Sequence, residues 1–387
     1  MANKAHNQRD KERARDRKEK KKAKKAEKER ARLARNHSPP PLIQPPHSPP
    51  PVLAAPPSLP PSPLPLRIGD EIPVLDQYLS DIGQRRTIEW TDLDQALIQS
   101  LQAIKSGQNG SVFSGQWQGI ACVVKVVVVS ERKTIPFGQK PDLIFIQNEM
   151  MILNYLKNHQ NLLENPGAVK VIDVKFVRGA LPDVMKGSMP GKMSNQLYFV
   201  SVTQHQGSPL TNHKVASLHQ FKAIIGQVLV TLGMLERDIR FEHRDLHNNN
   251  ILVEETGARS IECGIGMVAS GGVKVSIIDF TYSRATIGGR RFFLDLGDRE
   301  DLFKPNPTTT LQMARNEMRR KSGGDWGEFG GGSNACWVKN MGERMILNAG
   351  DRSRISRYFM RKWLNKLLKE NTVEDMLSLF KRDIFKR

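Results

Sequence analysis

The chain has 387 residues, 39% of them hydrophobic, with 59 Lys+Arg against 40 Asp+Glu and a net charge of +19. Residues 1–36 alone hold 16 Lys+Arg and 6 Asp+Glu, so more than half of the surplus sits in under a tenth of the chain and is not the property of one folded basic domain. Three distant cysteines (Cys122, Cys263, Cys336) exclude a disulfide framework and a Cys-rich zinc site, which points to a reducing compartment. The charged N terminus lacks an apolar signal core, and no apolar run approaches the ~20 residues of a bilayer span, so a soluble intracellular protein is expected.

In chain order, residues 1–37 alternate basic and acidic side chains with alanine and cannot build a packed core. This predicted disordered tail reads either as a solvated charged segment or as a nuclear-localisation or polyanion contact, through runs such as Lys20, Lys21, Lys22, Lys24 and Lys25. Residues 38–66 contain 14 of the 23 prolines and form a linker of polyproline II type. Ser38, Ser48 and Ser62 each precede a proline there, as phosphosites or as plain turn chemistry.

Globular composition starts near residue 70 and continues to 387. About 300 residues exceed one small core, which favours two lobes around a cleft. Residues 104–115 (IKSGQNGSVFSG) form a glycine-containing turn. Residues 120–129 (IACVVKVVVV) read as a buried β-strand with a single lysine, Lys125. Apolar positions Leu143, Ile146, Met150, Leu153 and Leu156 predict a helix over 142–157. Strands are predicted at 197–202 and 273–279, and an amphipathic helix over 218–238. The C-terminal stretch 357–386 reads as helical, through Phe359, Trp363, Leu367, Met376 and Phe380. Strands early and helices late give an α+β class.

The most specific stretch is HRDLHNNN (243–250). His-Arg-Asp with an asparagine five residues after the aspartate is the protein-kinase catalytic-loop pattern. Asp245 would accept or orient the proton of an attacking hydroxyl, and Asn250 would reach a metal bridging nucleotide phosphates. A second metal carboxylate is Asp279, in VSIIDFTYSR (275–284), where Asp-Phe-Thr stands in place of Asp-Phe-Gly. Upstream, Gly107, Gly110 and Val112 match the glycine-rich loop, with Lys105 at its first glycine. Lys125 inside an apolar strand needs a counter-charge, and Glu149 on the following helix is the candidate. Each piece has a bland alternative: a strand turn, a snorkelling lysine, a strand-end cap. The ordered set at kinase spacings is what carries the reading.

The motifs FEHRDLH (241–247), VSIIDFTYSR (275–284), EDLF (300–303), WGEF (326–329) and Ser333-Asn334 followed by Trp337 resemble haspin, the divergent histone-kinase family, over roughly residues 95–385. The resemblance implies a two-lobed protein-kinase fold within residues 70–387, with an N-lobe near 95–206 and a C-lobe near 207–387. No Ala-Pro-Glu follows Asp279, as the family implies. It also implies ATP and Mg2+ as cofactors, and a preformed active state. The substrate would be a threonine near the N terminus of the histone H-three tail, phosphorylated in mitosis. His247 takes the place of the catalytic-loop lysine. Val202, Thr203 and Gln204 would meet the nucleotide at a hinge, although Val202 to Gln206 lacks the family's acidic character. Asp295, Asp298, Glu300 and Asp301 would bind a basic tail. Other departures are Asn248-Asn249 for Trp-Gly, and Gln312 at the place expected for an aspartate that braces the catalytic-loop backbone.

Expected partners are a histone tail and, through the basic tail, chromatin or nucleic acid. No membrane contact is expected, and the chain is read as a monomer in the nucleus and on chromosomes. A catalytically weak pseudokinase scaffold is the alternative. A small-molecule kinase of the aminoglycoside phosphotransferase type shares the loop spacing but not FEHRDLH or WGEF.

Overall fold

The computed structural model describes residues 75–107, 110–129, 143–163, 167–189, 196–263, 266–297, 299–349, 354–367 and 369–384. All of them fall in one compact unit, Pro60–Arg387. The basic tail, the proline-rich linker and Asp298 lie outside the described residues.

The first half is built on a six-stranded sheet of order β1-β5-β6-β4-β3-β2. Its strands are β1 (Ile88–Glu89), β2 (Gln102–Gly107), β3 (Gly110–Trp117), β4 (Ile120–Val129), β5 (Val171–Gly179) and β6 (Gln196–Gln204). Only β1 runs parallel to its neighbour, β5. The β3–β4 hairpin turns on Gln118 and Gly119, at φ 49 and 80. Two positive φ values in a two-residue loop match the twist of the flanking strands.

Alternation along β4 sorts its side chains. Val124, Val126 and Val128 join an outer cluster with Trp90, Leu97, Phe113, Tyr198 and Val202. Val127 and Val129 join the main core with Ile146, Met150 and Leu153. Those three residues sit on α3 (Leu143–Leu163), after the shorter helices α1 (Leu75–Asp81) and α2 (Gln95–Ser100). Lys125 shares the face of Val127 and Val129, so period two aims the lysine at the long helix. α3 runs six residues past the predicted end. His159 stacks on Tyr155 there at 4.1 Å, and Lys157 pairs with Asp173 at 2.5 Å.

After the one-turn α4 (Asp183–Lys186), the second half is organised around α5 (Leu218–Ile239), capped by the Ser217 hydroxyl on Gln220 N. This helix is long and apolar enough to cross a membrane, which corrects the expectation that no stretch reaches that length. Within the fold 72% of its apolar window is buried, so core packing accounts for its composition. A small sheet of β7 (Ser208–Pro209), β8 (Ile251–Glu255) and β11 (Val273–Ile277) lies beside it, with hairpins β9 (Ser260–Cys263)–β10 (Gly266–Ala269) and β12 (Ala285–Ile287)–β13 (Arg290–Phe292). Helices α6 (Thr310–Ser322), α7 (Ser333–Leu347), α8 (Arg354–Leu367) and α9 (Val373–Ile384) complete the lobe.

A sheet-rich first lobe followed by a helical second lobe is the two-lobed kinase architecture. The C-terminal helical stretch is divided into two helices, α8 and α9. Thr372 accepts from Asp375 N at 3.1 Å and donates to Asp375 Oδ2 at 2.7 Å, a cap that starts α9. Phe359, expected on the apolar side, is 46% exposed, while Trp363 and Met376 are buried.

Candidate active site

The period-two placement of Lys125 brings its ammonium to Glu149 on α3, at 2.7 Å from Oε1 and 2.8 Å from Oε2. Asp279 Oδ1 is 3.5 Å from the same nitrogen. Burial alone would lower the Lys125 pKa, but the charges of Asp279 and Glu149 outweigh it and raise it. The lysine is therefore held as a cation. Asp279 follows β11 with φ 64, a left-handed geometry that is uncommon away from glycine. Burial would raise its carboxyl; the Lys125 charge and the Thr281 hydroxyl instead pull it down to about 2.

Thr281 is a functional neighbour that sequence reading left without a role. Its hydroxyl lies 2.8 Å from Asp279 Oδ1 and 3.2 Å from Glu149 Oε2. One side chain thus ties Asp279 to the helix glutamate. The only advance sign was a hydroxyl residue two places after the aspartate.

The catalytic loop leaves α5 through Arg240, whose left-handed φ of 49 ends the helix. Glu242 and Arg284 exchange backbone hydrogen bonds at 2.9 and 2.8 Å. His243 is fully buried. Its Nδ1 accepts from Asp245 N at 3.3 Å, so Nε2 carries the proton given to Ile278 O at 3.0 Å. Burial lowers the His243 pKa, consistent with that neutral ring. Arg244, at φ 63, is buried and donates to Glu242 Oε2 at 2.8 Å and to Trp326 O at 2.7 Å. Its guanidinium also lies 5.3 Å from the Trp326 ring centre.

The backbone brace of this loop is Asn334 at the start of α7. Its Oδ1 accepts from His243 N at 2.9 Å, and its Nδ2 donates to Phe241 O at 2.9 Å. This corrects the expectation for Gln312, whose side chain instead accepts from Thr308 N at 2.9 Å at the start of α6. An amide can both accept from and donate to the loop backbone, which a carboxylate cannot.

Asp245 is largely shielded. Its Oδ1 accepts from Arg315 Nη2 at 3.0 Å, and its Oδ2 lies 3.6 Å from His247 Nε2. Asn250 donates from Nδ2 to Asp245 O at 3.0 Å, which turns its Oδ1 into the remaining acceptor. Thr281 and Lys125 take Asp279 Oδ1 and leave Oδ2. Asn250 Oδ1 and Asp279 Oδ2 are hard oxygens of the kind that suit a magnesium-like cation. No cluster of three His, Cys, Asp or Glu occurs among the described residues, so such a cation would complete its shell with water or phosphate oxygens.

Comparison with known proteins agrees with this geometry. The haspin like kinase domain model matches residues 73–387. The chain belongs to the haspin-like kinase family. Among its curated relatives, the serine/threonine-protein kinase haspin homolog of Drosophila melanogaster is 29% identical over 57% of this chain and 42% of that protein. Serine/threonine-protein kinase haspin of Bos taurus is 23% identical over 70% of this chain and 38% of its own. The haspin homolog of Arabidopsis thaliana is 23% identical over 69% and 48%. The haspin-like chain thus aligns with less than half the length of these relatives.

In this haspin-like fold Gly107 and Gly110 face each other across the β2–β3 turn, and Val112 pairs with Lys125. Gly110 has φ 116, and a Cβ there would stand 2.5 Å from Val126 O, so close approach to β4 already requires glycine. Val202 is buried in the outer core, and Thr203 pairs with Val123. Gln204 N donates to Lys170 O at 2.8 Å. Asp295 is exposed and caps Gly297 N at 2.8 Å. Asp301 is held by Arg299 through two bonds of 2.8 and 2.9 Å. Glu300 and Asp301 share the lining of an open cleft of ≈ 720 Å³ with Phe303, Lys304, Arg319 and Arg320.

Asn334 also donates to Glu236 Oε1 at 2.8 Å. Burial pushes the Glu236 carboxyl up to about 8, against the Asn334 hydrogen bond, with Glu242 and Glu374 adding to the rise. Between the unfolded value of 4.5 and about 8 the folded haspin-like chain binds the extra proton, so stability falls as pH rises through that window. Urea unfolding at pH 5, 6.5 and 8 is expected to show this decline, and Glu236→Gln to flatten it. Equal slopes for the two proteins would contradict the assignment.

Proposed function

We propose that the chain is an ATP- and Mg2+-dependent serine/threonine protein kinase acting on a threonine near the N terminus of the histone H-three tail, in the nucleus and on chromosomes during mitosis. The observation that carries the kinase reading is the assembled set: Lys125 on Glu149 and within reach of Asp279, with Asp245 and Asn250 on one loop. Lys125 and Glu149 align the nucleotide, and Asp279 and Asn250 hold the metal that neutralises phosphate charge. Asp245 takes or orients the hydroxyl proton, and His247 lies beside its second oxygen. The glycine turn at Gly107 and Gly110 covers the phosphates, with Val112, Val202, Thr203 and Gln204 nearer the base. Purified chain incubated with histone octamer and labelled ATP, followed by phosphopeptide mapping, tests the reading. Transfer confined to sites outside the H-three tail would reject the substrate while leaving the kinase.

The histone reading needs local negative charge, because the chain outside residues 1–36 is itself positive, with 43 Lys+Arg against 34 Asp+Glu. Asp301 is already neutralised by Arg299. Among the described acidic residues the attraction for a basic tail therefore rests mainly on Asp295 and Glu300, both exposed, with Asp298 outside the described residues. Asp295→Ala and Glu300→Ala are expected to raise KM for a basic histone peptide by about 5- to 10-fold each, with kcat little changed. An unchanged KM would remove these residues from the substrate site.

A pseudokinase scaffold is the second reading. The observation that favours it is the Arg315 contact on Asp245, which occupies one oxygen of the catalytic carboxylate. Turnover decides between them, since nucleotide binding is common to both.

A further inference from the structure

Helix α6 contributes an arginine to the reaction centre that no catalytic-loop motif contains. Arg315 Nη2 donates to Asp245 Oδ1 at 3.0 Å, and the two side chains are 19% and 13% exposed. The pair joins residues 70 apart in sequence. We infer that Arg315 is a positioning residue for phosphoryl transfer, fixing the Asp245 carboxylate so that Oδ2 is the oxygen that meets the substrate hydroxyl. The inference rests on the kinase reading.

Three features support it. First, the loop position two residues after Asp245 holds His247, whose Nε2 stands 3.6 Å from Asp245 Oδ2. An imidazole is a cation only when protonated, whereas a guanidinium is charged at every working pH. Arg315 therefore supplies, from another helix, a permanent positive charge beside the carboxylate. Second, α6 is fastened at both ends of the turn that carries Arg315. Thr309 Oγ1 accepts from Gln312 N at 3.2 Å, and Gln312 Oε1 accepts from Thr308 N at 2.9 Å. Ala314 and Met318 are buried, and Trp337 Nε1 reaches Met318 Sδ at 3.4 Å. The arginine starts from a fixed Cα and loses little on ordering. Third, the two carboxylate oxygens become chemically distinct. Oδ1 is committed to a fixed donor, which sets the carboxylate plane. Oδ2 keeps its lone pairs for the hydroxyl.

In the transfer step the hydroxyl O–H bond breaks and its proton passes to Asp245 Oδ2. The hydroxyl oxygen bonds to the γ-phosphorus of ATP, and the bond to the bridging oxygen breaks, its electron pair leaving with ADP. Arg315 enters none of these bonds. It holds Oδ2 in line and keeps the carboxylate from turning away.

The test is steady-state kinetics of the full chain with a basic histone peptide, for wild type, Arg315→Ala and Arg315→Lys, with urea unfolding alongside. Arg315→Ala is expected to lower kcat by about 10- to 100-fold, with KM for ATP and the urea midpoint essentially unchanged. Arg315→Lys is expected to recover part of the loss, as a point charge without the planar fork. Unchanged kcat in Arg315→Ala would overturn the inference, and so would a rise in kcat, which would make the arginine an inhibitory latch. A fall in kcat matched by a lower urea midpoint and unrecovered by lysine would also overturn it, in favour of a structural role. Absence of transfer by the wild type, equal to that of Asp245→Asn, would instead remove the kinase reading and this inference with it.

Discussion

Replacing Asp245 with asparagine is expected to lower phosphoryl transfer by about 10²- to 10⁴-fold, the range that a positioned general base supplies. The substitution keeps the shape and removes the basicity. An amide oxygen can still accept from Arg315 Nη2, now at 3.0 Å from Oδ1, and the backbone bonds through Asn334 and Asn250 do not use the Asp245 side chain. Fold stability should therefore change by no more than about 1 kcal/mol, as for a partly shielded ion pair. Nucleotide affinity should persist, because Lys125, Glu149, Asn250 and Asp279 remain. The measurement is labelled-phosphate transfer to histone, with the urea midpoint as the control for folding. Transfer by Asp245→Asn equal to that of the wild type would sink the kinase reading.

The largest effect on stability is expected at Glu242. Its Oε2 receives Arg244 Nε at 3.2 Å and Nη2 at 2.8 Å, and the two side chains are 4% and 1% exposed. Burial lowers the Arg244 pKa and Glu242 opposes that fall. Glu242→Gln removes the adjacent counter-charge and leaves the buried guanidinium with a neutral amide, the Trp326 carbonyl and ring, and the charges of Asp295 and Asp325. Removing one partner of a buried pair costs about 3–5 kcal/mol. Chemical denaturation should show that loss, together with reduced activity, since Arg244 directly precedes Asp245 in the loop. The double variant Glu242→Met with Arg244→Met should recover part of the stability, because an apolar pair needs no counter-charge. A loss below about 1 kcal/mol in Glu242→Gln would show that the pair is not what holds the loop.

The parts of the site that were readable from the sequence are those encoded by short-range spacing. HRDLHNNN places Asp245 and Asn250 on one loop whatever surrounds it. Lys125 declared itself as a lone charge in a β-branched strand, and its partner Glu149 followed from the next helix. What escaped depends on contacts between distant segments. Asn334 reaches His243 across 91 residues, and Arg315 reaches Asp245 across 70. No local propensity marks either residue, and position along the chain alone puts the brace at Gln312, where its loss would be expected, rather than at Asn334. Thr281 joins Glu149 across 132 residues, again a contact that local sequence does not mark. The break inside the helical stretch 357–386 rests on a cap, Thr372 and Asp375 at three-residue spacing.

The Arg244–Glu242 pair has a consequence in time. A guanidinium neutralised by a phosphoryl group is neutralised only until that group is hydrolysed, so its lifetime is set by another enzyme. Here the neutralising charge is a side chain two residues away in the same peptide. It arrives when the chain folds and stays for as long as the chain lasts. The arrangement of the loop around Arg244 is therefore set by folding itself and needs no later covalent addition to neutralise that guanidinium.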